Sequence, residues 1–145
     1  MEMRPEADDL ERFVTAQEAV WADVLAELAA GDKRSHWMWF VFPQLRGLGH
    51  SPTAQRYGLA SLFEARAYAA HPVLGARLLE CARLLDAVQG RSALDIFGPV
   101  DAMKLRSCLT LFERAVPQEP LFSRLLDRYA GGVRDAATLA MLAAD

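Results

Sequence analysis

The stretch that decides the fold is SHWMWFVFPQLRGL, residues 35–48. Residues 37–42 are all apolar, so hydrophobic periodicity does not distinguish a buried strand from a buried helix. The aromatic residues favour a strand, but no second run of comparable strength is present to pair with it, and a lone strand leaves its backbone unsatisfied. We therefore predict a short buried helix, with Ser35 as its N-cap and Pro43 ending or kinking it.

An amphipathic helix is predicted before this segment, because residues 10–28 place their apolar side chains at helical spacing. Asp8 or Asp9 can cap its start, and Gly31 can end it in a left-handed conformation. Gln17 falls on the apolar stripe, where a buried amide needs partners from a neighbouring loop or from a ligand. A structural hydrogen bond is the favoured interpretation of Gln17.

Capping residues, prolines and glycines divide the rest of the chain into further helices. The predicted starts and stops are Ser51-Pro52, a capping box of Ser61 and Glu64, His71-Pro72, Gly90, Ser92, Gly98-Pro99, Pro117, Pro120, Gly131-Gly132 and Asp135. The apolar stripe predicted after Pro99 consists of Val100, Met103, Ser107, Cys108, Leu111 and Ala115. We predict one all-α domain over residues 1–145: a compact bundle of six to eight short and medium helices, orthogonal rather than simple up-down, with residues 1–8 as a loose tail.

The composition is that of an ordinary globular protein, with 52% hydrophobic residues, 24% charged residues and a formal net charge of -3. This charge argues against nucleic-acid binding, which needs a basic surface. No uncharged stretch approaches the length that spans a bilayer, and residues 1–9 lack the pattern of a secretion signal. Cys81 and Cys108 lie among apolar residues, so we predict buried free thiols and a cytoplasmic location.

Established catalytic and metal-binding motifs are missing from the sequence. His36, His50, His71 and the two cysteines do not have zinc-ligand spacing, so we expect no metal and no cofactor. There is no nucleophile elbow, Walker loop or dinucleotide-binding glycine motif. The usual hydrolase and nucleotide-fold interpretations therefore fail.

The basic residues of this chain have an unusual composition, because 14 of the 16 are Arg and only Lys33 and Lys104 are Lys. An ammonium is a compact charge that can be desolvated, so a retained Lys can mark a site that Arg does not suit. Chance retention is the simpler alternative. Asp101 lies one helical turn before Lys104, as in a surface helix pair or, if buried, a candidate site.

Polar residues also flank the aromatic segment. The rings themselves are predicted to be mainly core, but Lys33, His36 and Gln44 border them, and small-molecule sites combine an apolar pocket with a few convergent polar atoms. The candidate catalytic residues are therefore Lys104, Asp101 and His36. The candidate ligand-binding residues are Lys33, His36, Gln44, Gln17 and Tyr57.

Several segments resemble the domain-of-unknown-function family 1810. The longest and most specific is KRSHWMWFVFPQLRGLG, residues 33–49, with Ala16-Gln17 upstream. The resemblance covers about residues 13–142 through further landmarks, which are Tyr57-Gly58, Glu64-Ala65, Ala67-Tyr68, residues 71–79, Asp101 with Lys104, and residues 110–112. Cys108 departs from the pattern, because a second serine is expected after Ser107.

The resemblance implies a compact, mainly helical fold in small bacterial proteins, and no established activity. Members are often labelled calpastatin, a label we reject because calpastatin acts through repeated, largely disordered segments, whereas this chain is unrepeated and apolar enough to fold. The Arg- and Ala-rich usage resembles that of an actinobacterium such as a mycobacterium. The pattern around Asp101 and Lys104 also weakly resembles the YbiA-like N-glycosidase proteins.

Two function hypotheses follow, and the sequence leaves open whether the protein is an enzyme. The first is a small-molecule site for a nucleotide or ADP-ribose-like ligand, with an N-glycosidase-like reaction as its enzymatic form. The second is a non-enzymatic interaction or structural module. The sequence identifies no protein partner, and it predicts that nucleic acid and membranes are not partners. Convergence of Lys33, His36, Asp101 and Lys104 on one pocket is the observation that favours the first.

Overall fold

Helices make up most of residues 10–144, the part of the chain that the computed structural model describes. Within this part there are no regular strands, and one isolated parallel bridge joins Leu45 to Leu59. The predicted all-α class and compact bundle are confirmed. The helices are α1 Glu11–Glu18, α2 Trp21–Ala30, α3 Met38–Val41, α4 Pro52–Tyr57, α5 Leu62–Ala70, α6 Leu74–Ala87, α7 Ala93–Ala115, α8 Pro120–Ala130 and α9 Ala136–Ala144.

The helix predicted over residues 10–28 is divided into α1 and α2, so this prediction was wrong in its continuity. Val20 leaves the helical conformation with φ -125° and ψ 4°, and its N–H donates to the carbonyl of Gln17. Apolar spacing continues through this break, which is why periodicity did not reveal it. Gly31 ends α2 in the predicted left-handed conformation, with φ 67°. The capping predicted for Asp8 or Asp9, and the loose tail over residues 1–8, lie outside the described residues.

The aromatic segment forms the predicted short helix, α3, which is one turn long. Its N-cap is Trp37 and not Ser35, so that part of the prediction was wrong. The hydroxyl of Ser35 instead donates to Oε2 of Glu27, at 2.6 Å. Helical geometry is lost before Pro43, as predicted. Trp37 is fully buried, whereas the Trp39 side chain is partly exposed.

Side-chain caps fix most of the later helix starts where the sequence predicts them. The Ser51 hydroxyl accepts from the Ala54 N–H, and Asp135 accepts from the Thr138 N–H. Ser92 and Asp95 form a complete capping box. The box predicted at Ser61 is half formed: Ser61 caps the Glu64 N–H, but the Glu64 carboxylate accepts from the Ala60 N–H instead.

One hydrophobic cluster holds these helices together. Helix α7 contacts α5, α8 and α9, so its buried side forms the centre of the cluster. Cys81 and Cys108 are fully buried free thiols, as predicted. Within residues 10–144 we find no helix that combines the length and the apolar character needed to cross a bilayer. The largest fully buried side chains are Trp37, Tyr68, Phe13, Phe42, Phe112 and Phe122.

A kink at Gly98 changes the direction of α7. Gly98 has φ 79° and ψ 171°, inside a run that is otherwise helical and that continues with Pro99. The stripe predicted after Pro99 was wrong at its first two positions, because Val100 and Met103 are 63% and 68% exposed. The first turn of α7 is buried through Ala93, Ile96 and Phe97, but the turn after the kink is not, and burial resumes at Leu105.

Replacing Gly98 with Ala is expected to lower the free energy of unfolding by about 2 kcal/mol. The Gly98 backbone lies in a region of φ and ψ that is almost exclusive to glycine, and residues forced into it cost roughly 1–3 kcal/mol. Gly131→Ala is the matched control, since a Cβ added at either position meets no atom within 4 Å. Gly131 has φ 61° and ψ 25°, the ordinary left-handed region, so its cost should be only about 1 kcal/mol. Urea denaturation of both variants measures their free energies of unfolding. Equal losses of this free energy in Gly98→Ala and Gly131→Ala would contradict the prediction.

Candidate functional site

Lys33, Asp101 and Lys104 converge on one cluster of charges, which we call the lysine–aspartate cluster. Lys33 Nζ lies 2.8 Å from Oδ2 of Asp101, and Lys104 Nζ lies 3.4 Å from its Oδ1. Lys33 Nζ also donates to the carbonyl of Ser35, at 2.6 Å. The side chains of Lys33, Asp101 and Lys104 are 7%, 19% and 16% exposed, so this cluster is largely shielded from water.

Two parts of the fold bring the cluster together. Asp101 and Lys104 lie one turn apart in α7, just after the kink, so their side chains share a face. Lys33 lies in the connection between α2 and α3, and its N–H donates to the carbonyl of Ile96 at 2.9 Å. The kinked helix therefore presents both its backbone and its charged face to this connection.

Glu27 stabilises the connection that carries Lys33. Its carboxylate accepts hydrogen bonds from the Arg34 N–H, from the N–H and hydroxyl of Ser35, and from Nε1 of Trp37. Burial raises the pKa of the Glu27 carboxyl group, but the hydrogen bonds from these residues outweigh it and lower the pKa to about 2. Residues 34–37 are thus tied to α2 by one ionised side chain.

The lysine–aspartate cluster carries a formal surplus of one positive charge. It contains two ammonium groups and one carboxylate, and within residues 10–144 the salt bridges of both lysines end at Asp101. Aromatic rings offset part of this surplus. Lys104 Nζ lies 3.4 Å from the centroid of the Trp39 ring, and Lys33 Nζ lies 4.9 Å from that of Trp37.

Lys104 and Trp39 form part of the wall of a cavity of about 280 Å³, which we call the Trp39–Lys104 pocket. The side of α7 that faces it carries Val100, Met103, Lys104 and Ser107. The hydroxyl of Ser107 donates to the Met103 carbonyl at 3.2 Å, so its oxygen is available as an acceptor. The remaining wall includes Gln44, Leu48, Gly49, Asp135 and Ala137.

The candidate residues from the sequence are divided among three locations. Lys33, Asp101 and Lys104 are brought together, but of these three only Lys104 lines the Trp39–Lys104 pocket, where it is joined by Gln44. His36 is exposed and is not part of the pocket wall. Three of the four residues thus form one charge cluster, but the convergence of all four on one pocket is not met, because Lys104 alone of them lines its described wall.

Gln17 and Tyr57 lie elsewhere, around Phe40. Gln17 is buried, and its amide donates to the Phe40 carbonyl at 2.7 Å and to the Tyr68 hydroxyl at 3.0 Å. Its Oε1 accepts from Arg77 at 3.3 Å, so protein groups occupy both ends of the amide. Tyr57 packs its ring against those of Phe13 and Phe40. These contacts are structural.

Nucleophilic and metal chemistry find little support among the described residues. Burial raises the pKa of the Cys81 thiol to about 12, and it raises that of Cys108 well above its usual value. Both groups are therefore protonated and unreactive at neutral pH. Within residues 10–144, no group of three or more His, Cys, Asp or Glu side chains could hold a metal ion.

Comparison with known proteins identifies the source of the family landmarks in the sequence. The profile of the family described as Protein of unknown function (DUF1810) matches residues 7–142. The chain belongs to the DUF1810 family. The resemblance stated from the sequence is thus confirmed. Among curated proteins, none matches this DUF1810 chain.

A solved structure shares the fold of this DUF1810 protein over nearly its whole length. It is the crystal structure of the conserved hypothetical protein Rv1873 from Mycobacterium tuberculosis, with 58% sequence identity and a TM-score of 0.92. The match covers 93% of this chain and 96% of the mycobacterial one. This similarity agrees with the mycobacterial relationship indicated by the Arg- and Ala-rich sequence.

Proposed function

We propose that this DUF1810 protein binds a small anionic molecule with a planar ring, of the nucleotide or ADP-ribose type, in the Trp39–Lys104 pocket. The observation that carries the proposal is the surplus ammonium group at the pocket wall. A shielded charge is costly unless it is paired, and Asp101 neutralises only one of the two lysines. An anionic group of a ligand supplies the missing negative charge through a charge-assisted hydrogen bond.

The rest of the pocket suits a ring that carries such a group. Trp39 is part of the wall, with Lys104 Nζ over one face of its ring, and stacking of a base on an aromatic face contributes roughly 1–3 kcal/mol. Gln44 supplies an amide donor and acceptor, and Ser107 supplies a hydroxyl oxygen. The volume of about 280 Å³ is close to the lower limit of ~300 Å³ for small-molecule sites. This size favours a mononucleotide as the bound unit.

The geometry favours binding over an N-glycosidase-like reaction. Such a reaction needs a carboxylate that faces the ligand and can exchange a proton. Asp101 is paired with both lysines and is not part of the pocket wall. Asp135 is part of the wall, but its Oδ2 accepts from both the N–H and the hydroxyl of Thr138. Asp135 is therefore engaged in capping α9.

Lys104→Met is expected to weaken binding of AMP at least tenfold, because it removes the ammonium group that faces the pocket. Loss of a hydrogen bond to a charged group costs roughly 1.5–3 kcal/mol, and each 1.4 kcal/mol is about tenfold in affinity. Thermal unfolding over a series of AMP concentrations measures this, since ligand binding to the folded state raises the Tm. The Tm of the wild type should rise by several degrees at saturating AMP. The variant should need a higher AMP concentration to reach the same increase in Tm.

Lys33→Met and Arg114→Met are the matched controls. Lys33 contributes to the same charge surplus but does not line the pocket, so its replacement should weaken AMP binding less than Lys104→Met. Arg114 is an exposed cation further along α7, and its replacement should change nothing. Equal Tm increases in the wild type and Lys104→Met, or none in either, would contradict the proposed site.

A protein-interaction module is the second candidate, and the exposed apolar side chains of Leu94, Val100 and Met103 favour it. They are 60%, 63% and 68% exposed and lie on both sides of the kink in α7. Exposed apolar groups in one region mark interaction surfaces more often than isolated ones do. The AMP experiment separates the candidates, because an interaction module gains no stability from the nucleotide.

A further inference from the structure

A second cavity, of about 330 Å³, lies beside a different side of α7 from the Trp39–Lys104 pocket. Its walls come from the first turn of α7, from the helix after the kink, and from Tyr129 and Ala130 at the end of α8. Pro99, Ala102 and Arg106 follow one another at helical spacing along this side. We call this cavity the Arg106 pocket. Met103 is the residue that it shares with the Trp39–Lys104 pocket.

Arg106 is a partly buried cation without a protein partner among the described residues. Its Nε is buried and finds no hydrogen-bond acceptor within residues 10–144. Two other partly buried arginines are paired: Arg134 donates to Glu113, and Arg77 donates to Gln17 and Glu18. A buried donor left unpaired costs roughly 1–3 kcal/mol, more when it belongs to a charged group. Within the described part of the chain, Arg106 thus has neither an acceptor for its Nε nor a carboxylate that neutralises its charge.

We infer that the Arg106 pocket binds the carboxylate of a small molecule that has an apolar body. The guanidinium group presents its N–H donors as a planar fork, which matches the two oxygens of a carboxylate. The wall around it is mainly apolar, with Leu94, Ala102, Leu105 and Leu109. A carboxylate compensates the charge of the Arg106 guanidinium group, and an apolar body fills the remaining space.

The chemistry of the wall favours a carboxylate over a phosphate. A phosphate monoester carries roughly -1.5 to -2 charges and three acceptor oxygens, so it requires several donors. Among the described residues of the wall, Arg106 is the one cationic side chain, and the Tyr129 hydroxyl already donates to the Leu85 carbonyl. This inference is independent of the nucleotide site, because Lys104 is not part of the Arg106 pocket.

Hexanoate and benzoate, with hexanamide and benzamide as uncharged controls, test this inference on the whole chain. We expect both acids to shift the backbone amide NMR signals of Ala102, Leu109 and Ala130 in a saturable manner, and the amides to bind at least tenfold more weakly. Arg106→Met should weaken binding of both acids to the level of the amides. Arg114→Met removes an exposed charge from the same helix and should leave binding unchanged.

Arg106→Met is expected to fold, so that a loss of acid binding in this variant reports the loss of the guanidinium group. Arg106→Met removes an unsatisfied donor, so its Tm should equal or exceed that of the wild type. Ala102→Leu gives an independent check, because it fills the cavity while Arg106 stays in place. Acids and amides that bind equally, or acid binding that survives both substitutions, would overturn the inference. Signal shifts at these residues with inorganic phosphate but not with either acid would overturn the assignment to carboxylates.

Discussion

Replacing Asp101 with Asn is expected to lower the free energy of unfolding by about 3 kcal/mol. Removal of one partner from a buried ion pair costs roughly 3–5 kcal/mol, because the other charge is left buried and uncompensated. Here the variant leaves two ammonium groups around a neutral amide, with side chains that are only 7% and 16% exposed. The lower end of the range applies because water still reaches part of the cluster.

Asp86→Asn is the control for Asp101→Asn. Asp86 pairs with Arg124, whose side chain is 57% exposed, and exposed pairs contribute at most about 1 kcal/mol. Urea denaturation at neutral pH measures the loss in free energy of unfolding for Asp101→Asn and for Asp86→Asn. If both variants lose the same small amount, Lys33 and Lys104 are less dependent on Asp101 than the geometry indicates, and the charge surplus loses its significance.

Glu27→Gln is expected to lower the free energy of unfolding by about 2–3 kcal/mol at neutral pH. The carboxylate accepts four hydrogen bonds, and hydrogen bonds to a charged group contribute roughly 1.5–3 kcal/mol each in favourable cases. An amide at this position loses the charge and turns an NH2 group towards the donors of Arg34, Ser35 and Trp37. The loop that positions Lys33 should therefore loosen.

The effect of Glu27 has a defined pH dependence. Because folding lowers the pKa of Glu27 from 4.5 to about 2, its contribution is complete above pH 4.5 and is lost as the pH falls through about 2. The stability difference between the wild type and Glu27→Gln should thus decrease at acid pH. Urea denaturation at about pH 7, 5 and 3 measures it. Glu80→Gln is the control at an exposed position, and its stability difference from the wild type should not change with pH in this way. A stability difference for Glu27→Gln that is independent of pH would contradict the role of its ionised carboxylate.

Local sequence signals predict much of the fold. Ser51, Ser92 and Asp135 begin helices because their side chains satisfy free backbone N–H groups, each time between residues three positions apart. The break at Val20 was not predictable in this way, since apolar spacing continues across it. The exposure of Val100 and Met103 depends on the direction that α7 takes after Gly98, which is a property of the tertiary structure.

The candidate site was predictable in part. The rarity of lysine identified Lys33 and Lys104, and one turn of helix linked Lys104 to Asp101. Glu27 was missed because it lies on the polar side of its helix, where nothing in the sequence shows that residues 34–37 fold back onto it.

The remaining site residues become visible only in the folded chain. Trp39 is distinguished from the buried Trp37 by its position beside Lys104, although both belong to the same apolar run. Ser107 reaches the pocket from α7, and Asp135 reaches it from the connection just before α9. Arg106 could not be singled out from the other arginines by sequence, because its lack of a partner depends on contacts between distant parts of the chain.

Calorimetric titration of the wild-type protein with AMP and with adenosine tests the central claim most directly. The two probes share the ring and the ribose and differ in the phosphate, so their difference in affinity reports the surplus charge beside Trp39. The account predicts that AMP binds at least tenfold more tightly than adenosine, and that added salt narrows this difference. Equal affinities for the two compounds, or no binding of AMP at low salt, would contradict it.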